Sequence, residues 1–175
     1  MVILVDINDI EIGSIAKMEA HEKALLHRAF SVFIFNSEGE LLMQQRAKNK
    51  YHSAGLWTNT CCSHPFPGEE TLAAANRRLH EEMGLKTELK FSFKFLYKAP
   101  FENDLTEHEI DHVFIGNTDS IPQLNLEEVS NYKYMKLKEI QEHIDNEPEL
   151  YTVWFRIIFS EFIEKISIKK LTNPI

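Results

Sequence analysis

Cysteine is nearly absent from this 175-residue chain, and the two that occur are neighbours, Cys61 and Cys62. Adjacent cysteines rarely pair with each other, and there is no third. A disulfide framework is therefore excluded, and the chain reads as a reduced, cytoplasmic protein. Positive charge is also short: 19 Lys and Arg face 27 Asp and Glu, for a formal charge of −8. A nucleic-acid binder would carry a basic surface, so nucleic acid is not an expected partner, although local basic clusters still suit a small phosphate compound. Long apolar runs are missing. The most apolar stretch, Tyr151 to Phe159, is short and contains Arg156, which excludes a membrane span. The start, Met1 to Asp6, lacks the basic segment and cleavage site of a secretory signal. No internal repeat or low-complexity tract is present. What is there, 43% apolar and 26% charged residues, is ordinary soluble usage and enough for one domain over 1–175 with a sizeable core. Twelve Phe predict a core or pocket rich in aromatics.

Residues 2–7 read as a short strand, and 14–26 as a loop or short helix bracketed by His21 and His27. A hairpin is predicted over 28–46, from a buried strand Ala29 to Phe35, a turn Asn36 to Glu40 and a returning strand Leu41 to Arg46. A polar loop follows from Lys48 to Ala54. Glu69 to Met83 is strongly helical, with Leu72, Ala75 and Leu79 on one face and Gly84 as a natural stop. Leu89 to Tyr97 and Glu107 to Gly116 read as strands around a loop from Pro100 to Leu105. After a loop over 122–129 comes a short strand, Tyr132 to Met135, then an amphipathic helix, Leu137 to Asp145. Pro148 suits the start of a last helix over 148–168, whose stripe is Trp154, Ile157, Ile158, Phe162 and Ile166. The order of elements implies an α/β fold, a mixed sheet with helices packed on it.

Three groups of residues could carry chemistry. Glu107, Glu109 and Asp111 share one face of their strand, because side chains alternate with period two. Carboxylates so close repel one another unless a metal or a shared proton relieves them, or unless the strand is an exposed edge. His21, His27 and His64 lie beside predicted strands near one end of the sheet. Three imidazoles with two carboxylates suit Zn²⁺ or Mn²⁺ better than Ca²⁺. His52, His80, His108, His112 and His143 read as ordinary surface or core histidines. Finally, Arg77 to Gly84 sets a basic pair one turn from an acidic pair. That is either a solvated face or a Mg²⁺–phosphate site, in which Arg46, Lys50 and Arg78 would supply charge for a diphosphate. In Cys62-Ser63-His64 a thiol stands two residues from an imidazole.

Taken together these stretches resemble the type I isopentenyl-diphosphate Δ-isomerases, a branch of the Nudix fold. The resemblance runs from about His21 to Trp154. It rests on His21 with Leu26 to Ser31, on Gly55 to Pro65, on Arg77 to Leu85 and on Glu107-His108-Glu109. It implies a Nudix-like mixed sheet sandwiched between helices. It implies Cys62 as the catalytic thiol and no role for Cys61. His21, His27, His64, Glu107 and Glu109 become ligands to a divalent metal, Mn²⁺, Zn²⁺ or Mg²⁺, with Glu109 also the acid or base. Glu82 would hold a second metal, Mg²⁺, against the diphosphate. Arg46, Lys50, Arg78 and the Ser63 backbone would grip that diphosphate, Tyr97 would assist the acid, and Trp154 would face the hydrocarbon end. The implied reaction is a 1,3-allylic proton shift through a carbocation-like state. Glu109 would act as acid, Cys62 as thiolate base, and Trp154 with Trp57 or Tyr97 would stabilise the cation. The implied partner is a small-molecule diphosphate, the implied state a monomer or weak homodimer, with residues 1–20 as a possible flap over the pocket. Compared with the Nudix hydrolase box, Arg78 stands in place of a Glu and Ser63 in place of a Gly. The alternative of a Nudix-type diphosphohydrolase is weakened accordingly.

Overall fold

The computed structural model describes all residues except Tyr51, 101–103 and 173–175, and the side chains of 166–172. Ile166, placed on the last helix's stripe, and most of the loop expected from Pro100 to Leu105 thus lie outside the described residues. Among those described, the chain forms nine strands in one mixed sheet and four α-helices. The strands are β1 (Val2–Val5), β2 (Glu11–Ile15), β3 (His27–Phe35), β4 (Leu41–Arg46), β5 (Trp57–Thr58), β6 (Cys61–Ser63), β7 (Lys90–Pro100), β8 (Thr106–Asn117) and β9 (Val129–Met135). The helices are α1 (Lys17–Glu22), α2 (Thr71–Met83), α3 (Leu137–Asn146) and α4 (Val153–Thr172). None is long and apolar enough to cross a membrane.

β3 is the spine. Along one edge it pairs in parallel with β8 over its whole length, and β8 in turn pairs antiparallel with β7. β3 also pairs with three short partners: β1 at His27, β6 at Phe30 to Val32 and β4 at Phe35. The expected 28–46 hairpin therefore closes only at its turn. Beyond Phe35 and Leu41 the two strands splay, and the segment 57–63 bridges the gap, pairing first with β4 through β5 and then with β3 through β6. β4 carries β9 along its length.

Alternation along the strands divides the core. Phe33, Leu41, Met43, Val113 and Met135 pack under α4, whose Phe155, Ile158, Phe159 and Phe162 are fully buried. Burying each such side chain contributes about 1.5–3 kcal/mol. On the opposite face Phe30, Val32, Ile34, Leu42 and Phe114 pack with Ala74, Ala75, Leu79 and Met83 of α2.

Several local expectations change. β2 was not expected as a strand. It is an exposed edge whose residues bury no alternating face, so it leaves no period-two signal. The face of α2 is Ala74, Ala75, Leu79, Glu82 and Met83, while Leu72 is exposed. Pro148 opens an isolated 3₁₀ turn rather than the last helix. Tyr151 is extended, and α4 starts only after Thr152, whose Oγ1 accepts the Phe155 N–H and thereby caps the helix.

Gly84 ends α2 with φ 66°, and a Cβ placed there would come 2.7 Å from Gln123 Cβ and 2.8 Å from its carbonyl oxygen. Backbone strain and collision act together, so Gly84→Ala should destabilise the protein by about 1–3 kcal/mol. The measurement is the thermal midpoint, expected to fall by roughly 2–4 °C per kcal/mol at this size. An unchanged midpoint would mean that the 118–125 loop gives way freely.

Candidate active site and metal centre

The splay between β3 and β4 is where the chemistry-bearing residues collect. In β6 successive side chains take opposite faces, so Cys61 enters the α2 core and Cys62 points to the α4 side. Cys61 is fully buried in the α2 core beside Glu82, whereas Cys62 lines a cavity. Period two thus separates two neighbouring thiols into a packing residue and a site residue.

β8 supplies the carboxylates. In parallel register Glu109 lies beside His27 of β3, and in antiparallel register it faces Tyr97 of β7. His64 follows β6, and His21 comes from α1. These histidines and Glu109 form the metal-capable group, with one ligand atom from each of His21, His27, His64 and Glu109 all within 4.8 Å of one another. Glu109 Oε1 is 2.9 Å from His64 Nε2 and 3.3 Å from His27 Nε2. Two of the rings are pre-set for coordination. His21 Nδ1 is 2.6 Å from the Lys17 carbonyl oxygen, and His27 Nδ1 is 2.8 Å from that of Leu25. A carbonyl only accepts, so each Nδ1 carries the proton and donates it, and each Nε2 presents a lone pair inward. Burial lowers the pKa of His21, and burial with the nearby Lys17 lowers that of His64 to about 3. Neutral imidazole is the metal-binding form, so this donor set fits a divalent ion.

Glu107 stands outside that four-residue group. It is joined to it through a phenol: Tyr97 Oη is hydrogen-bonded to Glu107 Oε2 and, at 2.7 Å, to Glu109 Oε2. One phenol has one proton for two carboxylates. Burial and the negative Glu109 raise the Glu107 pKa to about 8, so Glu107 holds a proton of its own. The consistent arrangement is a Glu107 carboxyl donating to Tyr97, which donates to a Glu109 carboxylate. Burial pushes Glu109 upward too, but the hydrogen bond from His64 outweighs it and holds its carboxyl well below the usual range. The strand is a buried inner one and not an exposed edge.

Two cavities meet here. The inner one, about 50 Å³, is lined by Ala29, Phe30, Tyr97, Glu107, Glu109, Trp154 and Ile158 among others. The outer one, about 200 Å³, is polar, with Gln44, Lys50, Arg78, Glu82 and Glu128. Lys17, Arg46, His52, Cys62 and Ser63 line both. The outer cavity gathers four cations, Lys17, Arg46, Lys50 and Arg78, against the carboxylates of Glu82 and Glu128. Arg78 Nη2 donates to Glu82 Oε1 at 2.6 Å and lies 3.3 Å from Glu128, while Lys50 pairs with Glu128. Gln44 Nε2 donates to the other Glu82 oxygen at 2.9 Å. A buried carboxyl among cations that could hold phosphate fits Mg²⁺, which takes one or two carboxylates and completes its shell with phosphate oxygens.

The sequence-predicted residues Cys62, Tyr97, Arg46, Lys50, Ser63, Arg78, Trp154, Glu82, His64, Glu107 and Glu109 all line these cavities, and His21 and His27 back them. Three expectations change. Trp57 does not line either cavity; it packs under Lys133, 4.2 Å from its ring centre. Cys62 is held as a thiol rather than a thiolate: burial raises its pKa to about 12, with Arg46 pulling against the rise. His52 is not an ordinary histidine but a buried lining residue of both cavities. Lys17, Gln44 and Glu128 were not foreseen. Lys17 stands one helical turn before His21, a spacing that would have flagged it had 14–26 been read as a helix. Glu128 sits just before β9 in a segment with no periodic signal.

A family model described as a NUDIX domain matches residues 25–155. In fold, the chain is similar to a crystal structure from Deinococcus radiodurans, with a TM-score of 0.70 at 20% identity, covering 83% of this chain and 89% of that one. The fold and site define a Nudix protein whose donor set can hold a divalent metal. Two curated relatives refine this. The chain is 54% identical over 159 residues to the isopentenyl-diphosphate Delta-isomerase of Pectobacterium atrosepticum, covering 91% of this chain and 89% of the relative. It is 52% identical to isopentenyl-diphosphate Delta-isomerase 2 of Photorhabdus laumondii, covering 91% and 90%. The chain belongs to the Nudix family, in its isopentenyl-diphosphate Delta-isomerase branch.

Adding Mn²⁺ or Zn²⁺ to metal-stripped protein should raise its thermal midpoint, since binding to the folded state adds about 2.7 kcal/mol at a hundredfold excess over Kd. In His27→Ala the rise should disappear. An equal rise in that variant would remove His27 from the ligand set.

Proposed function

We propose that this chain interconverts isopentenyl diphosphate and dimethylallyl diphosphate by a metal-dependent 1,3-allylic proton shift. One observation carries the reading. A polar cavity lined by four cations adjoins a smaller one, sharing Lys17, Arg46, Cys62 and Ser63 with it, that holds a thiol, a carboxylate–phenol relay and an indole. A substrate with a charged head and a five-carbon tail has the same division.

The diphosphate is gripped by Lys17, Arg46, Lys50 and Arg78, with Ser63 at the joint. Glu82 would hold Mg²⁺ there, and His21, His27, His64 and Glu109 would hold a second divalent ion, with Glu107 reaching that group through Tyr97. When bound, the first ion neutralises phosphate charge and the second fixes Glu109. The anchored head leaves the alkene little freedom, which is where much of the rate comes from. Carbon 2 lies next to the carbon bearing the diphosphate, and Cys62 borders both cavities, so Cys62 serves carbon 2. The terminal carbon reaches furthest in, toward Glu109, Tyr97 and Glu107, which line only the inner cavity. Glu109 therefore serves the terminal carbon and draws on Tyr97 and Glu107 for its proton.

In the forward direction Glu109 gives a proton to the terminal carbon, positive charge develops at carbon 3, and Cys62 removes a proton from carbon 2. The double bond moves and no atom is lost. This direction starts with the thiol ionised and the carboxyl protonated, and Arg46 is the cation that favours the thiolate. The reverse direction starts from thiol and carboxylate, the forms that burial of Cys62 and the His64 bond to Glu109 favour. Trp154 and Tyr97 offer ring faces to the developing cation, an attraction of about 2 kcal/mol in a dry site. The tail bound among Phe30, Trp154 and Ile158 would displace the water that could trap that cation. A hydrolase would need a carboxylate where Arg78 stands, so diphosphate cleavage is not favoured.

Cys62→Ala and Glu109→Gln should each lower kcat by on the order of 10²–10⁴-fold or more while leaving the fold intact. Cys61→Ala should be close to neutral in turnover. In D₂O, deuterium should enter a methyl group of dimethylallyl diphosphate, read by NMR. Near-normal turnover in Cys62→Ala or Glu109→Gln would refute the assignment, and phosphate release without isomerisation would refute the function.

A further inference from the structure

His52 belongs to neither the metal group nor the proton relay, yet it sits where the two cavities join. Its ring and its backbone act on different partners. The imidazole meets the Trp154 indole edge to face, with centroids 5.6 Å apart and planes at 77°. Its carbonyl oxygen accepts from Arg46 Nη2 at 3.3 Å. Arg46 in turn lies over the same indole, 5.1 Å from its centroid. His52 thus touches both the cation that grips the head and the aromatic wall that faces the tail.

The loop is bent to achieve this. Ser53 has φ 49°, a left-handed conformation that a serine adopts only at a cost, and Gly55 has φ 75°. Arg46 and the loop end are clamped by Arg46 N–H to Leu56 O at 2.9 Å and Gly55 N–H to Arg46 O at 3.2 Å. Strain of this kind persists only where the surroundings over-determine it, and it gathers at functional sites. The far end of the indole is pinned separately, by Trp154 Nε1–H donating to Thr58 Oγ1 at 3.1 Å. With the ring nitrogen held by Thr58 and Arg46 over the ring, the T-shaped imidazole contact adds a further restraint on the cavity side of the indole.

We propose that His52 is a positioning residue for the isomerisation: its ring fixes the Trp154 indole relative to the diphosphate grip, and so sets where the alkene lies between Cys62 and Glu109. The inference rests on the isomerase reading above. It separates head from tail. Loss of the ring frees the indole and misplaces the alkene, while Lys17, Lys50 and Arg78 still hold the diphosphate. An aromatic ring of similar size keeps the edge-to-face contact without any titratable nitrogen.

The test compares steady-state kinetics on isopentenyl diphosphate with Mg²⁺ for the unsubstituted protein, His52→Leu, His52→Ala and His52→Phe. His52→Leu fills the volume without an aromatic edge, so the comparison holds if the alanine variant folds poorly. We expect kcat to fall by at least about tenfold in His52→Leu and His52→Ala, as a misplacement of the reacting carbons predicts. KM should stay within about threefold, since the phosphate contacts remain, and His52→Phe should recover most of kcat. Unchanged kcat in His52→Leu, or no recovery in His52→Phe, would overturn the proposal. So would a loss confined to KM, which would make His52 a phosphate contact. If the unsubstituted protein itself fails to turn over isopentenyl diphosphate, the isomerase reading falls, an outcome distinct from any pattern among the variants.

Discussion

A carboxylate held inside a protein has to be compensated, and the site around Glu109 is built by that requirement. Removing the charge from water costs several kcal/mol even after relaxation. Glu109 is buried, and its two oxygens answer to different partners: Oε1 to His64, Oε2 to Tyr97, with the His27 ring 3.3 Å from Oε1 as a prospective co-ligand. Such partners are available only to a strand with neighbours on both edges. β8 has β3 and β7, so it receives a histidine from one and a tyrosine from the other. Were β8 an edge strand, water would take the place of one of them and no metal-capable cluster would be needed. Glu107 marks the limit of the compensation. A second full charge two residues away has only the shared phenol, so it keeps its proton.

The same compensation explains why the splay between β3 and β4 matters. A continuous hairpin would have paired Phe30 to Val32 with β4 and filled the space with packing side chains. Instead β6 takes that place, and its alternation sends Cys62 to the α4 face and Cys61 to the core. One gap in one pairing therefore yields a thiol at the edge of a cavity, with the carboxylate on the far side of β3. The walls come from α4, whose aromatic residues are needed for the core in any case. Trp154 lies on its first turn, where the packed helix gives way to the cavity.

Much of this was legible from residue order. An apolar run and its turn identified β3 and β4, alternation identified β7 and β8, and helical spacing identified α2 and α3, because each helix buries one face against the sheet. The separation of Cys62 from Cys61 and the grouping of Glu109 with three histidines could be stated from the resemblance of the motifs alone. Other parts were not legible, for physical reasons. β2 buries no face, so its pattern is that of a loop. Thr152 begins α4 through a single cap, while Pro148 offered an equally valid start for a shorter turn. Trp57 and Trp154 have the same aromatic chemistry, and only the path of the 57–63 bridge decides that one faces Lys133 and the other the cavity. Lys17, Gln44 and Glu128 act through long-range contacts that no local pattern encodes. His52 is hidden in a polar loop where a left-handed serine, Ser53, adds a bend that no glycine at that position announces.

Arg78 shows how little has to change for one fold to serve different chemistry. Its guanidinium occupies one oxygen of Glu82 and reaches Glu128, on a helix where a hydrolase box has a carboxylate. Replacing an anion by a cation reverses the local field. A carboxylate there would add to the capacity for metal ions and for the water they activate, which attacks phosphorus. A guanidinium brings no water. It adds a planar donor suited to phosphate oxygens and strengthens the hold on an intact diphosphate. In the proposed reaction the head group is therefore the handle and not the reacting centre, and the reacting carbons lie in the smaller cavity beside Cys62 and Glu109.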